Sequence, residues 1–263
     1  MSAGAAEGDA AGGCGVAVMA KASAPGRTKT RLVPPLTFEE AAAFNTAFLQ
    51  DAAENLSAAG RHAGIAPYMA FGPPGSEAFF REHLPSGVGL IEAWFPNFGD
   101  CLFHAVSSLL QRGHSSAGVL NSDSPTLPTA FLVEAAEVLA RPGDRAVLGP
   151  STDGGYYLLA VKRPHRRLFE DVPWSTERVA EETLDRAREI GLDVHLLPAW
   201  YDVDDAPSLR TLRGELLGDE PFSADGPAPH DAPHSRRLLQ RLLADADLAR
   251  RLEATLRLPE RAP

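Results

Sequence analysis

The chain is poor in cysteine, in net positive charge and in long apolar runs. Only two of its 263 residues are cysteines, Cys14 and Cys101, so neither a disulfide framework nor a cysteine-based metal site is expected, and a reducing cytoplasm is the simplest compartment. The formal net charge is −10, from 25 basic and 35 acidic residues, which argues against nucleic acid or an anionic membrane surface as a partner. No stretch is long and apolar enough to predict a membrane span.

The composition that remains is that of a soluble globular protein, with 44% hydrophobic and 23% charged residues. Residues 1–14, rich in Gly and Ala, predict a disordered leader and do not have the pattern of a signal peptide. Residues 15–217 predict the main domain, and 218–234, dense in Pro, Asp and Gly, predict a linker. Residues 235–263 predict an amphipathic helix that packs on the domain or forms a homodimer contact.

Apolar runs and helical patterns alternate along the main domain. Strands are predicted at 15–20, 65–71, 88–95, 117–120 and 194–197, and the run at 156–161 is interpreted as resuming a strand that begins at 145. Helices are predicted between them, the first opened by a capping box from Thr37 to Glu40 and a late one by Trp174-Ser-Thr176. This alternation predicts a mainly parallel sheet with helices on both faces and ligands at the carboxyl ends of the strands.

A basic loop follows the first strand. Lys21, Arg27, Lys29 and Arg31 lie within eleven residues of an otherwise acidic chain, and such cations can bind phosphate oxygens. Pro25-Gly26 predicts a type II turn, where glycine takes the positive φ and lets main-chain N–H groups approach an anion. The alternative interpretation is a solvated basic face.

Two acidic motifs follow predicted strands and suit a divalent metal. Asp123, in Asn-Ser-Asp-Ser-Pro, is expected at the carboxyl edge of the sheet, where one or two carboxylates can hold Mg²⁺ or Mn²⁺ on a nucleotide diphosphate. Asp202 and Asp204, two residues apart in an extended segment, are expected to share a face and to need a cation between them. The alternatives are a cap or turn at Asp123 and a helix start at Asp205.

A third motif, from Gly149 to Tyr157, contains Asp153 beside Gly154 and Gly155. The glycines would let the backbone pass close to a ligand, and Asp153 would orient or deprotonate an acceptor hydroxyl. A plain Asp-Gly hairpin turn is the equally weighted alternative.

Taken in order, these motifs resemble those of a bacterial family described both as glycosyltransferase-like and as a domain of unknown function. The resemblance rests on the loop from Lys21 to Leu32, on Asn121 to Pro125, on Gly149 to Leu158, on Trp174-Ser-Thr and on Asp202-Val-Asp. The Lys-Thr-Arg-Leu part of the loop is also similar to phospholactate guanylyltransferases. The resemblance implies a Rossmann-like three-layer sandwich of the nucleotide-diphospho-sugar transferase (A-type glycosyltransferase) kind.

The resemblance also implies residue roles. The basic loop, with Lys21, Pro25, Gly26, Arg27, Lys29 and Arg31, would bind nucleotide phosphates, and Asp123 and Asp204 would bind the metal. Asp153 would act on the acceptor, whose side of the site would be formed by Gly154, Gly155, Tyr156, Trp174, Ser175 and Thr176.

The favoured hypothesis is a metal-dependent glycosyltransferase that moves a sugar from a nucleotide diphosphate to a small acceptor, with Mg²⁺ or Mn²⁺ as cofactor. The first alternative is a nucleotidylyltransferase in which a phosphorylated small molecule attacks a nucleoside triphosphate. The second is a nucleotide-binding protein without catalytic activity.

Overall fold

The computed structural model describes residues 12–218, 220–244 and 246–256 and shows the alternation of strands and helices that the sequence predicts. The strands are β1 (Cys14–Lys21), β2 (Ile65–Gly72), β3 (Gly89–Glu92), β4 (Ser116–Leu120), β5 (Ala146–Pro150), β6 (Tyr156–Val161) and β7 (Val194–Leu196). The α-helices are α1 (Phe38–Ala63), α2 (Glu77–His83), α3 (Phe98–Gln111), α4 (Thr129–Ala140), α5 (Val179–Glu189), α6 (Ala206–Leu217), α7 (Pro233–Ala244) and α8 (Ala246–Leu256). Two 3₁₀ helices, Thr30–Leu32 and Arg166–Phe169, complete the regular structure.

All seven strands form one sheet in the order β3-β2-β1-β4-β6-β5-β7. Four of the six neighbouring strand pairs are parallel, as expected of a mainly parallel sheet, and β6 is the exception because it runs antiparallel to both β4 and β5. The prediction that the segment at 156–161 resumes the preceding strand is therefore wrong. The segment returns beside that strand as the second arm of a hairpin. The turn interpretation of the Asp153-Gly-Gly motif accounts for this reversal.

The sheet separates two hydrophobic clusters. Alternate residues of β1 point to opposite faces, with Val16 and Val18 in one cluster and Ala17 in the other. The first cluster packs against α1, α4, α6 and α7, and the second against α3 and α5. This arrangement confirms the predicted three-layer α/β sandwich.

Helix α1 begins as the sequence predicts. The Thr37 hydroxyl accepts a hydrogen bond from the Glu40 backbone N–H (3.2 Å), and the Glu40 carboxylate accepts one from the Thr37 N–H (2.7 Å). Helix α5, however, begins at Val179 instead of Trp174, because the Thr176 hydroxyl and the preceding residues form a local turn. Strand β3 likewise ends at Glu92, before the predicted end at residue 95.

The C-terminal part of the described chain packs on the first hydrophobic cluster. The stretch predicted as one helix from residue 235 contains two helices, α7 and α8, whose Leu238, Leu239, Leu248 and Leu252 are buried in that cluster. Within the predicted linker, the His230 N–H donates to the Thr126 carbonyl oxygen (3.0 Å) and Ala232 is fully buried. Residues 1–11 of the predicted leader and 257–263 of the predicted helix lie outside the described residues. None of the helices built from the described residues has the length and hydropathy of a membrane span.

Candidate functional site

A cavity of about 660 Å³ opens at the carboxyl ends of β1, β2 and β4. The basic loop at 21–31 forms one wall, and the segments at 119–123 and at Asp204 form another. Trp94, Phe98, Tyr156 and Ser175 are among the other residues that line it. The predicted phosphate loop and the two predicted metal ligands therefore share one cavity, although they are far apart in the sequence.

The basic loop is held by its own turn and by the core. The Arg27 N–H donates to the Ala24 carbonyl oxygen (3.1 Å), and Gly26 has a φ of +71°, so the type II turn predicted at Pro25-Gly26 is present. Asn45 of α1 donates hydrogen bonds to the Lys21 carbonyl oxygen and the Ser23 hydroxyl. Leu32, at the other end of the loop, is fully buried. The loop is thus anchored at both ends and presents its cations to the cavity.

The two acidic segments are brought together by main-chain hydrogen bonds. The Val203 N–H donates to the Asp123 carbonyl oxygen (2.8 Å), and the Ser124 hydroxyl donates to the Tyr201 carbonyl oxygen (2.9 Å). These bonds join the end of β4 to the segment before α6, so that Asp123 and Asp204 face the same point.

Lys29 lies at that point. Its Nζ is 2.7 Å from Asp123 Oδ1 and 3.0 Å from Asp204 Oδ1, and it donates a hydrogen bond to the Val203 carbonyl oxygen (2.9 Å). The Lys29 side chain is only 6% exposed, and its ammonium group lies 5.3 Å from the centre of the Phe48 ring. Burial lowers the pKa of Lys29, and the Asp123 carboxylate opposes this lowering. The contacts are those of a protonated amine shared by two carboxylates.

The other three cations of the loop differ in their surroundings. Arg31, whose side chain is 73% exposed, pairs with Asp204 Oδ2. Lys21 and Arg27 line the cavity and have no ion-pair partner in the part of the chain that the structure describes. Two of the four predicted phosphate ligands are therefore paired with carboxylates, and two are available to an anion.

Asp202 and Asp205 occupy different environments from Asp204. Asp202 is half-buried, and this burial, together with the negative charges of Asp153 and Asp123, raises its pKa to about 6. Asp205 accepts a hydrogen bond from the Ser208 N–H (2.9 Å) and caps α6, which is the helix-start role that the sequence offered as an alternative. Four carboxylates, those of Asp123, Asp153, Asp202 and Asp204, thus lie near Lys29 or near one another.

Asp153 lies in the turn of the β5–β6 hairpin. It is exposed, accepts a hydrogen bond from the Gly155 N–H (2.9 Å) and does not line the cavity. Gly154 has a φ of +89°, and a Cβ atom there would overlap the Glu177 main chain. The close approach that Gly154 permits is therefore to the segment before α5, which holds the hairpin against the molecule.

Some of the residues predicted for the acceptor side line the cavity, and others stabilise the segments around it. Tyr156 and Ser175 line the cavity, and the buried Tyr156 hydroxyl has no hydrogen-bond partner among the described residues. The Trp174 ring packs edge-on against Phe98, with 5.5 Å between ring centres. The Thr176 hydroxyl donates to the Pro173 carbonyl oxygen (2.8 Å), so Thr176 stabilises the local turn.

Two aromatic residues that line the cavity are not among the site residues predicted from the sequence. Trp94 and Phe98 are each 48% exposed, and the Trp94 indole lies over Gly72, where a Cβ atom would overlap it. The Lys21 ammonium group lies 6.0 Å from the Trp94 ring. The run Trp94-Phe-Pro-Asn-Phe98 shortly after β3 was the available signal, because a cluster of exposed apolar side chains can mark a ligand-binding groove.

The fold and cavity define an α/β protein of the nucleotide-diphospho-sugar transferase fold. A structure described as a candidate nucleotide-diphospho-sugar transferase from Desulfovibrio desulfuricans G20 superposes with a TM-score of 0.74, at 23% identity, over 90% of this chain and 97% of its own. A cytidylyltransferase from Leptospira borgpetersenii serovar Hardjo-bovis gives a TM-score of 0.51 at 10% identity, over 89% and 95% of the two chains. CMP:2-keto-3-deoxy-manno-octonic acid synthetase, complexed with CTP, gives 0.50 at 14% identity, over 79% and 99%.

A bacterial family model matches part of the chain. Residues 46–176 match the family described as an uncharacterized protein conserved in bacteria (DUF2064), which confirms the resemblance predicted from the ordered motifs. The matched segment includes Asp123, Asp153 and Trp174, whereas the basic loop and Asp204 lie outside it. No curated protein matches the chain in sequence.

Proposed function

We propose that this protein is a transferase that uses a nucleotide-activated donor and moves a sugar from a nucleotide diphosphate to a small acceptor. The observation that carries the proposal is the convergence of the basic loop, Asp123 and Asp204 on one cavity at the carboxyl edge of the sheet. In open α/β sheets this edge is where ligands bind.

Two cations of the loop support binding of the diphosphate. Lys21 and Arg27 line the cavity and form no ion pair with a carboxylate among the described residues, and an Arg or Lys there stabilises negative charge on phosphate oxygens. Charge that develops on a leaving diphosphate would be stabilised in the same way, because the donors are already in place when it forms.

The donor atoms of Asp123 and Asp204 fit a divalent metal. Both residues direct an Oδ1 atom to a point that the Lys29 ammonium group holds, so the pair binds a cation. No cluster of three or more His, Cys, Asp or Glu side chains able to hold a metal is found among the described residues, which is compatible with Mg²⁺ or Mn²⁺ because these ions take their remaining ligands from substrate phosphates and water. Bound there, the metal would neutralise charge on the diphosphate.

Asp153 is the residue proposed to act on the acceptor. A sugar or alcohol hydroxyl needs a base to remove its proton as it attacks, and a carboxylate can serve. Asp153 lies three residues before Tyr156, which lines the cavity, and its negative charge helps to raise the pKa of Asp202.

Nucleotidyl transfer is the second candidate, because two of the similar solved structures are named as a cytidylyltransferase and as CMP:2-keto-3-deoxy-manno-octonic acid synthetase. In that reaction a phosphorylated acceptor attacks the α-phosphate of a nucleoside triphosphate. Its attacking phosphate oxygen is already ionised and needs no general base.

A thermal-shift panel of nucleoside triphosphates and nucleotide sugars, with and without Mn²⁺, tests the proposal, since a ligand that binds the native state raises its stability. We expect at least one nucleotide sugar to raise Tm. Stabilisation by triphosphates alone would favour the second candidate, and binding without any product would indicate a nucleotide-binding protein without catalysis.

The Asp153→Asn variant separates the two reactions. We expect turnover to fall about 100-fold or more with donor binding unchanged, as for removal of a positioned general base. Asp225→Asn, an exposed change outside the cavity lining, is the matched control. Turnover of Asp153→Asn equal to that of the control would contradict the glycosyl-transfer proposal.

A further inference from the structure

The Lys29 ammonium group is saturated by the contacts that hold it. An ammonium group has three donors and no acceptor, and Lys29 is met by three oxygens, one each from Asp123, Asp204 and the Val203 main chain, at 2.7 to 3.0 Å. The side chain is almost fully buried. The group is therefore fixed between the carboxylates and is not directed at an anion in the cavity.

The carboxylate oxygens are largely engaged by the chain itself. Asp123 Oδ1 also accepts a hydrogen bond from the Ser122 hydroxyl (2.7 Å), and Asp204 Oδ2 pairs with Arg31. A divalent metal needs such oxygens at about 2.1 Å. Because the ammonium group and a second cation would repel each other at this distance, both carboxylates can hold a metal only when Lys29 has left the point between them.

We infer that Lys29 couples metal binding to nucleotide binding. Without a nucleotide, Lys29 competes with a divalent cation for Asp123 and Asp204. With a nucleotide bound, phosphate oxygens offer the ammonium group other acceptors, so Lys29 turns to them and frees the carboxylates. This inference rests on the proposed function, since it requires phosphates in the cavity.

Lys29 could exchange its carboxylate partners for phosphate oxygens by moving only its own side chain. Lys29 belongs to the same loop as Lys21 and Arg27, and all three line the cavity. Its acceptors are two side chains that are 29% and 24% exposed, so a ligand in the cavity reaches them without unfolding the sheet. Linkage then requires that the metal strengthen nucleotide binding by the same factor by which the nucleotide strengthens metal binding.

The test measures the affinity of the protein for Mn²⁺ with no nucleotide present. The concentration of free Mn²⁺ is followed by its electron paramagnetic resonance signal. We expect Lys29→Met to bind Mn²⁺ about tenfold more tightly than the wild type, a typical size for a coupling between sites. Arg31→Met, which frees one exposed oxygen of Asp204, should tighten binding less. Lys21→Met and Arg27→Met are the matched controls, because each removes one positive charge from the same loop without touching either carboxylate, and they should change the affinity by less than about twofold.

The order of these effects decides the outcome. Equal effects for Lys29→Met and the two controls would show that net charge, and not displacement of Lys29, governs the metal site and would overturn the inference. Absence of Mn²⁺ binding in both the wild type and Lys29→Met would overturn it as well. If Lys29→Met does not fold, the comparison of Arg31→Met with Lys21→Met decides, because Arg31 is exposed and, of these two changes, only the loss of Arg31 frees a carboxylate oxygen. Failure of the proposed function is a separate result, seen as the absence of any nucleotide-induced rise in Tm.

Discussion

Asp51 and the Asp123–Asp204 pair are acidic groups of one protein that are neutralised in different ways. Asp51 of α1 is fully buried and accepts hydrogen bonds from the His234 and Ser235 backbone N–H groups, both at 2.9 Å, and from the Ser235 hydroxyl. It thereby caps α7, although burial still raises its pKa. Asp123 and Asp204 remain partly exposed to a cavity and are bridged by the end of one lysine side chain.

The difference lies in what can replace the partner. The donors to Asp51 are two main-chain N–H groups of a packed helix and the hydroxyl of its buried Ser235, so the main-chain donors leave only when α7 separates from α1. The Lys29 ammonium group lies at the end of a flexible four-carbon side chain, beside an open cavity. We therefore propose that Asp51 contributes to stability and that the Asp123–Asp204 pair contributes to ligand binding.

Asp123→Asn should have the largest effect on the proposed activity. One charge of the cation-binding pair is lost, and we expect turnover to fall about 100-fold or more, because transition-state charge is no longer neutralised. The amide oxygen still accepts from Lys29, so Tm should change by no more than about 4 °C. Steady-state kinetics and a thermal melt measure both quantities. A large fall in Tm together with the fall in turnover would mean that Asp123, like Asp51, contributes to stability, and would contradict the contrast between the two residues.

Asp51→Ala should show the opposite pattern. It leaves two buried N–H groups and a hydroxyl without an acceptor, and we expect a loss of about 1–3 kcal/mol in the free energy of unfolding. Nucleotide affinity of the folded molecules should stay that of the wild type, because α7 does not line the cavity. Urea unfolding and ligand titration test this. Asp51→Asn, which keeps one acceptor oxygen, is the control and should lose less stability.

Glu40→Gln should have the smallest effect on stability among these variants. It probes a partly buried carboxylate that is paired with an arginine side chain. Glu40 accepts two hydrogen bonds from Arg251, at 2.7 and 2.8 Å, and these contacts lower its pKa. A lowered pKa gives stability that is present above the unfolded value of 4.5 and is lost as the pH falls through the lower folded value. Gln retains the capping box, so the variant isolates the charge.

Melts of the wild type and Glu40→Gln across pH 3 to 7 check this expectation. The wild type should be more stable at pH 7, by about 1 kcal/mol or less, as is usual for ion pairs near a protein surface, and the two should converge in acid. A difference that does not depend on pH would mean that the charge of Glu40 contributes nothing to stability.

Much of the fold could be predicted because the signals are local. The capping box of Thr37 and Glu40, the turn at Pro25-Gly26 and the apolar runs each depend on residues within a few positions. The direction of β6 could not be predicted, since an apolar run has the same appearance in a parallel and an antiparallel strand. The cap of α7 by Asp51 joins residues more than 180 positions apart, and no local pattern indicates it.

The site was predicted in part for the same reason. Its residues could be selected by type and by their place at strand ends, and Lys29, Asp123 and Asp204 do meet in one cavity. Residue type indicates only the class of partner, however, so Lys29 was assigned to phosphate although its contacts are with carboxylates. Which cation faces which anion depends on main-chain bonds such as that from Val203 to Asp123, which the sequence does not reveal.

Calorimetric titration of the best-binding nucleotide into the wild type and Asp123→Asn, with Mn²⁺ and with EDTA, tests the central claim most directly. The claim is that the loop at 21–31 and the Asp123–Asp204 pair bind one nucleotide together with a divalent cation. We predict that Mn²⁺ tightens nucleotide binding about tenfold or more in the wild type and has little effect in Asp123→Asn. Nucleotide affinity that is the same with Mn²⁺ and with EDTA in the wild type would contradict the claim.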